Sequence, residues 1–246
     1  MRSGLPEWAA RRLNPQERYG LRVTLFALAT LLVLLPFSFL LVQVTSDGPL
    51  TETDLSIADA VYRVFRPSDV LIDVARAVSF LGSPPWFYLT IGAAALFFWR
   101  RGSKRISIYL VVTNLVGGAI DTVVKVVVDR PRPEFENPIA DAFGKSFPSG
   151  HAMASTVGYG TLLLAFMPLI PSRWRPVAIG GYVLMVAMIA ASRLGLGVHY
   201  FSDVLGGFVL GLAWLCVGTA AFSIWRTERG EPTVHVTEGV EPETAD

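Results

Sequence analysis

Charge is scarce in this chain, and lysine is scarcer still. Only 17% of the 246 residues are charged, where a soluble domain carries about 25%. Lysine occurs three times against eighteen arginines. Cys216 is the single cysteine, so an intrachain disulfide is impossible and a cysteine-based metal site is excluded. Its placement in an apolar run suits a small packing residue. No fixed-period repeat is visible, and the chain reads as one helical membrane domain with two flexible ends.

What is abundant is apolar and comes in blocks. Hydrophobic residues make up 52% of the chain, with a mean hydropathy of +0.48. The blocks cover 21–44, 85–99, 106–128, 151–170, 177–191 and 202–225. A helix crosses the hydrocarbon core with about 20 apolar residues. The second and fifth blocks fall short of that length. Pro84 and Pro85 can open the second helix, because proline is tolerated in a first turn. Residues 192–196 can extend the fifth. The expectation is an all-α polytopic protein with six transmembrane helices. The first block is longer than the apolar region of a signal peptide and has no small-residue cleavage site near Val44, so it reads as an uncleaved span.

Short loops rich in arginine and lysine mark the cytoplasmic side. Arg2, Arg11, Arg12, Arg18 and Arg22 precede the first span, and Arg100, Arg101, Lys104 and Arg105 follow the second. Arg173 and Arg175 lie in the next loop on that side, while the loop after the first span carries Asp47, Glu52, Asp54, Asp59, Asp69 and Asp73. Both termini are therefore expected in the cytoplasm, and loops 45–83, 129–150 and 195–201 outside the cell (plasma) membrane. The chain divides into a cytoplasmic segment 1–20, a membrane domain 21–225 and a disordered acidic tail 226–246. His235 lies in that tail, with no neighbour suited to catalysis. Within the loop 45–83, residues 67–82 fit an amphipathic surface helix with Ser68 as N-cap. Val70, Val74, Val78 and Leu81 share one face; Asp69, Asp73 and Arg76 share another. It suits either a lid that helps choose lipids or a plain connector.

Three polar stretches beside the spans hold most of the chemistry: 125–133 (KVVVDRPRP), 148–151 (PSGH) and 192–203 (SRLGLGVHYFSD). Charge inside or beside a span is expensive and usually functional. His199 and Asp203 are four apart and share a helix face. The carboxylate can fix one ring nitrogen and leave the other free to attack; a structural polar pair at a helix start fits equally. His151 follows Pro148-Ser149-Gly150 at a helix N-terminus, where free N–H groups suit an oxyanion and a histidine can protonate a leaving oxygen. A capping turn is the plainer alternative. Lys125, Arg132 and Arg193 supply cations at three helix ends. Arginine offers phosphate a bidentate fork and lysine a point charge. Snorkelling to headgroups explains any one of them, but less readily all three beside both histidines. Asp121, Asp129 and Arg130 adjoin the first stretch and receive no catalytic role; Arg130 also suits a lipid headgroup. Gly207 and Gly211 suggest a close-packing face in the last span.

Together these stretches resemble the type 2 phosphatidic acid phosphatase family, which includes the vanadium haloperoxidases. The pattern K-x6-R-P, P-S-G-H, S-R-x5-H-x3-D is met by Lys125 to Arg132-Pro133, Pro148 to His151, and Ser192-Arg193 to His199 and Asp203. The resemblance implies that His199 attacks phosphorus, Asp203 orients it and His151 protonates the leaving group. It implies that Lys125, Arg132, Arg193, Ser149 and the Gly150 amide hold the phosphate oxygens, with no cofactor and no metal. The soluble haloperoxidase branch fits six apolar spans poorly. The partners implied are a membrane lipid phosphate and the bilayer, with no nucleic acid; the oligomeric state is open. The substrates that fit are a polyprenyl diphosphate such as undecaprenyl diphosphate, phosphatidylglycerophosphate or phosphatidate. A phosphotransferase using the same residues, or a transporter with a lapsed site, are the competing readings.

Overall fold

A computed structural model describes residues 20–228, together with residues 12 and 239. Nearly all of the expected N-terminal segment and acidic tail, His235 included, lies outside these residues. The described residues are helical, with no β-strand among them.

Helix α1 covers Leu21–Thr45. Pro36 lies in a short π-helical stretch, Val33–Phe37. Proline lacks an N–H and crowds the preceding turn, which widens the helix locally. The Ser38 hydroxyl donates to the Val33 carbonyl at 2.8 Å.

The connector 45–83 holds two helices rather than the single one expected. Helix α2 spans Pro49–Phe65. Its Asp54, Ala58, Val61, Tyr62 and Phe65 recur at helical spacing, and Pro49 stands in the first turn. Helix α3 spans Asp69–Phe80, and Ser68 caps it by accepting the Leu71 N–H at 3.4 Å. Val70 and Val74 are exposed, while Ala75 and Ser79 face inward.

Helix α4, Pro84–Arg100, starts at its two prolines. It has 17 residues and meets α3 at a bend of 41°. Helices α5 (Lys104–Val128) and α6 (Gly150–Phe166) follow. Helix α7 (Arg175–Gly195) has 21 residues, so the fifth block does extend to the polar stretch. Helix α8, Phe201–Glu228, runs three residues past the expected boundary at 225.

Five spans are long and apolar enough to cross a membrane alone. Six are reached only if α3 and α4 count as one bent span. The expectation of six spans is thus met only to within five or six, because α4 alone, with 17 residues, is short for a bilayer core. The chain is a multi-span membrane protein, and its outer surface agrees. Leu34, Leu35, Val127, Val183 and Leu184 are all more than half exposed, which suits a lipid environment and no aqueous one.

Helix α8 is the centre of the bundle, packed on α6 and α1. Small residues permit the approach. A β-carbon on Gly207 would stand 2.6 Å from the Ser149 carbonyl oxygen, and one on Gly211 3.2 Å from that of Met153. The glycine pair therefore serves packing within the chain. This contact also presses the turn before α6 against the start of α8, which brings the second and third polar stretches together. Beneath them, Phe147 is fully buried among Phe37, Met153 and Leu210.

Candidate active site

Helix α5 stops at Asp129, whose left-handed conformation (φ 56°) ends the helix. The chain then passes through Pro131 and Pro133, which cannot continue a helix, and stays irregular to 149. Arg132 is thereby turned over the site. Its Nε donates to the Gly144 carbonyl at 3.0 Å, Nη2 to that of Phe143 at 3.1 Å and Nη1 to that of Val198 at 2.7 Å.

Nη1 of Arg132 also lies 3.1 Å from Nε2 of His199. The other ring nitrogen, Nδ1, faces Asp203 Oδ2 at 3.4 Å. A donor on one side and a carboxylate on the other fix the tautomer: the proton sits on Nδ1 and Nε2 keeps its lone pair. His199 is 2% exposed on its side chain. Burial, the largest cause, and the charges of Arg132 and Arg193 outweigh Asp203 and push its pKa down to about 4. It is neutral at physiological pH.

Asp203 Oδ2 also accepts the Tyr200 N–H at 2.8 Å and the Ser146 hydroxyl in a short bond. Oδ1 takes Arg130 Nη1 at 2.6 Å. Behind Arg130 stands Asp54 of α2, fully buried, accepting Nη2 at 2.8 Å. Asp54 further accepts the Ser202 N–H at 2.9 Å and, in a short bond, the Ser202 hydroxyl. Burial opposes the charge on Arg130, but Asp203 and Asp54 prevail and its pKa rises. Sequence reasoning named Asp54 only as one acid among several and left Arg130 unassigned.

The remaining expected residues gather on the opposite side of His199. His151 opens α6, within electrostatic reach of Arg193, His199, Lys125 and Arg132. Lys125 pairs with Asp121 at 2.5 Å. A β-carbon on Gly150 would lie 2.7 Å from Lys125 Nζ, so only glycine leaves this ammonium in place. The Ser149 N–H donates to the Asp203 carbonyl at 2.8 Å, while its buried hydroxyl has no partner. Arg193 gives Nη1 to Ser79 of α3 at 2.6 Å, and its buried Nε is also without a partner. Buried polar groups are normally satisfied, so each of these two donors is left able to meet an acceptor.

A cavity of about 620 Å³ leads away from this centre between α4, α5 and α6. Its polar end is Asp121, Lys125, Gly150 and His151; its walls include Phe87, Ile91 and Val157. Tyr88 and Leu115 line it too and are 72% and 61% exposed, so the groove opens on the lipid-facing surface. The arrangement joins an imidazole nitrogen with a free lone pair, a second histidine and three cations to an apolar channel.

The sequence profile of the PAP2 superfamily matches residues 106–226. Phosphatidylglycerophosphatase B of Bacillus subtilis (strain 168) is 29% identical over 181 residues, 72% of this chain and 86% of that protein. Decaprenylphosphoryl-5-phosphoribose phosphatase of Mycolicibacterium smegmatis is 34% identical over 167 residues, 66% of this chain and 84% of that protein. Among solved structures, a transmembrane PAP2 type phosphatidylglycerolphosphate phosphatase from Bacillus subtilis superposes with a TM-score of 0.68. That structure is 23% identical, over 74% of this chain and 92% of the other, and shares the fold.

Proposed function

The chain belongs to the PAP2 superfamily, and from that premise we propose that it is a membrane-embedded lipid phosphatase acting through a phosphohistidine on His199. Both named relatives are phosphatases. The observation that carries the mechanism is His199 itself: neutral, with Nδ1–H toward Asp203 and the Nε2 lone pair toward the cations.

A substrate phosphate enters between Lys125, Arg132 and Arg193 and receives hydrogen bonds from the Ser149 hydroxyl and the Gly150 amide. Its oxygens replace His199 Nε2 as the acceptor of Arg132. Nε2 then attacks phosphorus. An N–P bond forms while the P–O bond to the leaving group breaks, and His151 gives its proton to the departing oxygen. Water next attacks phosphorus and passes a proton to His151. The N–P bond breaks, its electron pair returns to Nε2, and inorganic phosphate leaves. The cations neutralise charge on the phosphoryl oxygens, the main demand of such a transfer, so the scheme needs no metal.

The apolar groove takes the lipid chain. Among substrates, a polyprenyl diphosphate is the first choice, with phosphatidylglycerophosphate and phosphatidate next. The arginine-rich loops support a topology with both termini in the cytoplasm and the site at the outer face of the plasma membrane. Helix α3 supports the site from behind, since its Ser79 holds Arg193.

The test is phosphate release by purified protein in detergent, on a panel of polyprenyl diphosphate, polyprenyl monophosphate, phosphatidylglycerophosphate and phosphatidate. His199→Ala abolishes release, by more than about 10⁴-fold, as loss of a nucleophile does, while gel filtration shows a folded protein. Unchanged turnover in that variant overturns the mechanism.

A further inference from the structure

We infer that Arg130 and Asp54 are positioning residues for the nucleophile, setting the orientation and basicity of His199 through Asp203. This rests on the reading of His199 as the attacking group. Neither residue lines the substrate groove or the smaller cavity beside Tyr200, so neither is available to substrate.

Asp203 has two oxygens and divides them. Oδ2 serves His199, Tyr200 and Ser146; Oδ1 serves Arg130 alone among the hydrogen-bond partners found for it. A carboxylate bound through only one oxygen can swing about its terminal torsion, which is broad. Pinning Oδ1 holds Oδ2 toward the imidazole. Arg130 is itself pinned by Asp54 at 2.8 Å, by Ser202 Oγ at 2.7 Å and by the Tyr200 ring, whose centroid is 4.2 Å from its guanidinium carbon. Arginine suits this post because one fork meets two carboxylates and its plane stacks on the ring; lysine meets a single partner well.

Asp54 belongs to α2, and Ser202 to the first turn of α8. The network therefore ties the connector helix to the start of the helix that carries Asp203. It also has an electrostatic effect. The groups acting on His199 are Asp203 from α8, Arg132 from the loop, Arg193 from α7 and His151 from α6. Arg130 neutralises part of the Asp203 charge and so weakens its pull on a second imidazole proton. Asp54, by sharing Arg130, restores part of that pull.

The test is steady-state kinetics and a pH–rate profile for Arg130→Gln, Arg130→Lys and Asp54→Asn, with His199→Ala as reference and inorganic phosphate as competing probe. Arg130→Gln lowers kcat by about 100-fold, the scale set by a small misplacement of a catalytic group. Its KM and the inhibition constant for phosphate stay within about threefold, below the scale of one lost charge-assisted bond. The acid limb of kcat/KM moves up by about one pH unit, as expected when a nearby cation is removed. Arg130→Lys recovers part of kcat. If the Arg130 variants fail to fold, Asp54→Asn carries the test, with about a tenfold fall in kcat at constant phosphate inhibition. The inference is overturned if folded variants keep the parent kcat and acid limb, or if phosphate inhibition weakens in step with kcat. An active His199→Ala protein would instead overturn the phosphohistidine reading beneath it.

Discussion

Arg130 and Arg132 flank Pro131, yet one ends on two carboxylates and the other on three backbone carbonyls and an imidazole nitrogen. A guanidinium matched by carboxylates has little field left for an incoming anion. One held by neutral carbonyls is equally fixed in place but keeps its net charge. Arg193 follows the second pattern, since its partner is the Ser79 hydroxyl. Lys125 is intermediate, being paired with Asp121 while lining the groove. The side of His199 proposed to face substrate is thus positive and incompletely satisfied. The side behind it is electrically matched and buried. Placement and binding are assigned to different cations, only two residues apart.

This contrast is broken most directly on the substrate side. Arg132→Gln and Arg193→Gln each lower kcat/KM by about 100- to 1000-fold, the scale of a lost transition-state donor. Both also weaken inhibition by inorganic phosphate, which Arg130→Gln leaves in place. Equal phosphate inhibition across all three variants would erase the distinction. Gly150→Ala comes next. Its new methyl group displaces Lys125 Nζ, and kcat/KM falls by about 100-fold through misplacement alone. Differential scanning fluorimetry on that variant, showing an unchanged Tm, separates displacement from unfolding.

The pH dependence is smaller in effect and sharper in sign. His199 has its pKa lowered to about 4, below an ordinary value of about 6.5. The neutral nucleophile is therefore retained down to about pH 4, and the acid limb of kcat/KM in the free enzyme belongs there rather than near 6.5. The unfolded chain binds this proton more readily, so the stability contribution of neutral His199 is complete above about 6.5 and is lost as pH falls toward 4. An acid limb at 6.5 would show that the imidazole is not desolvated as the structure has it. The smallest expected effect is that of a chelator: EDTA leaves phosphate release unchanged, and loss of activity restored by added metal would contradict a cradle built from cations alone.

The residues of the candidate site were legible because their spacing is local: seven between Lys125 and Arg132, four between His199 and Asp203. Helix boundaries were legible where proline or an apolar block marked them, as at Pro84. The residues behind the nucleophile were not. Asp54 lies 76 positions from Arg130 and 148 from Ser202, inside a run of acids that looks alike in sequence. Nothing local separates a buried acceptor from a solvated one such as Asp59, which pairs with Arg63 on the exposed face. Helix α2 did carry a signal, the recurrence from Asp54 to Phe65, but its acids suggested a loop. That α3 and α4 pass as a span only when taken together, across their bend, was not legible because span length was judged block by block.

In the proposed mechanism, the groove between α4, α5 and α6 would sort the two products by solubility. A freed long-chain alcohol or lipid monophosphate would lie along Phe87 and Ile91 and depart sideways into the bilayer past the exposed Tyr88 and Leu115. Inorganic phosphate has no apolar part and departs into water. With separate exits, recombination would require a lipid and an ion to meet again from different phases. On that reading, accumulated membrane product is expected to slow turnover more than accumulated phosphate does.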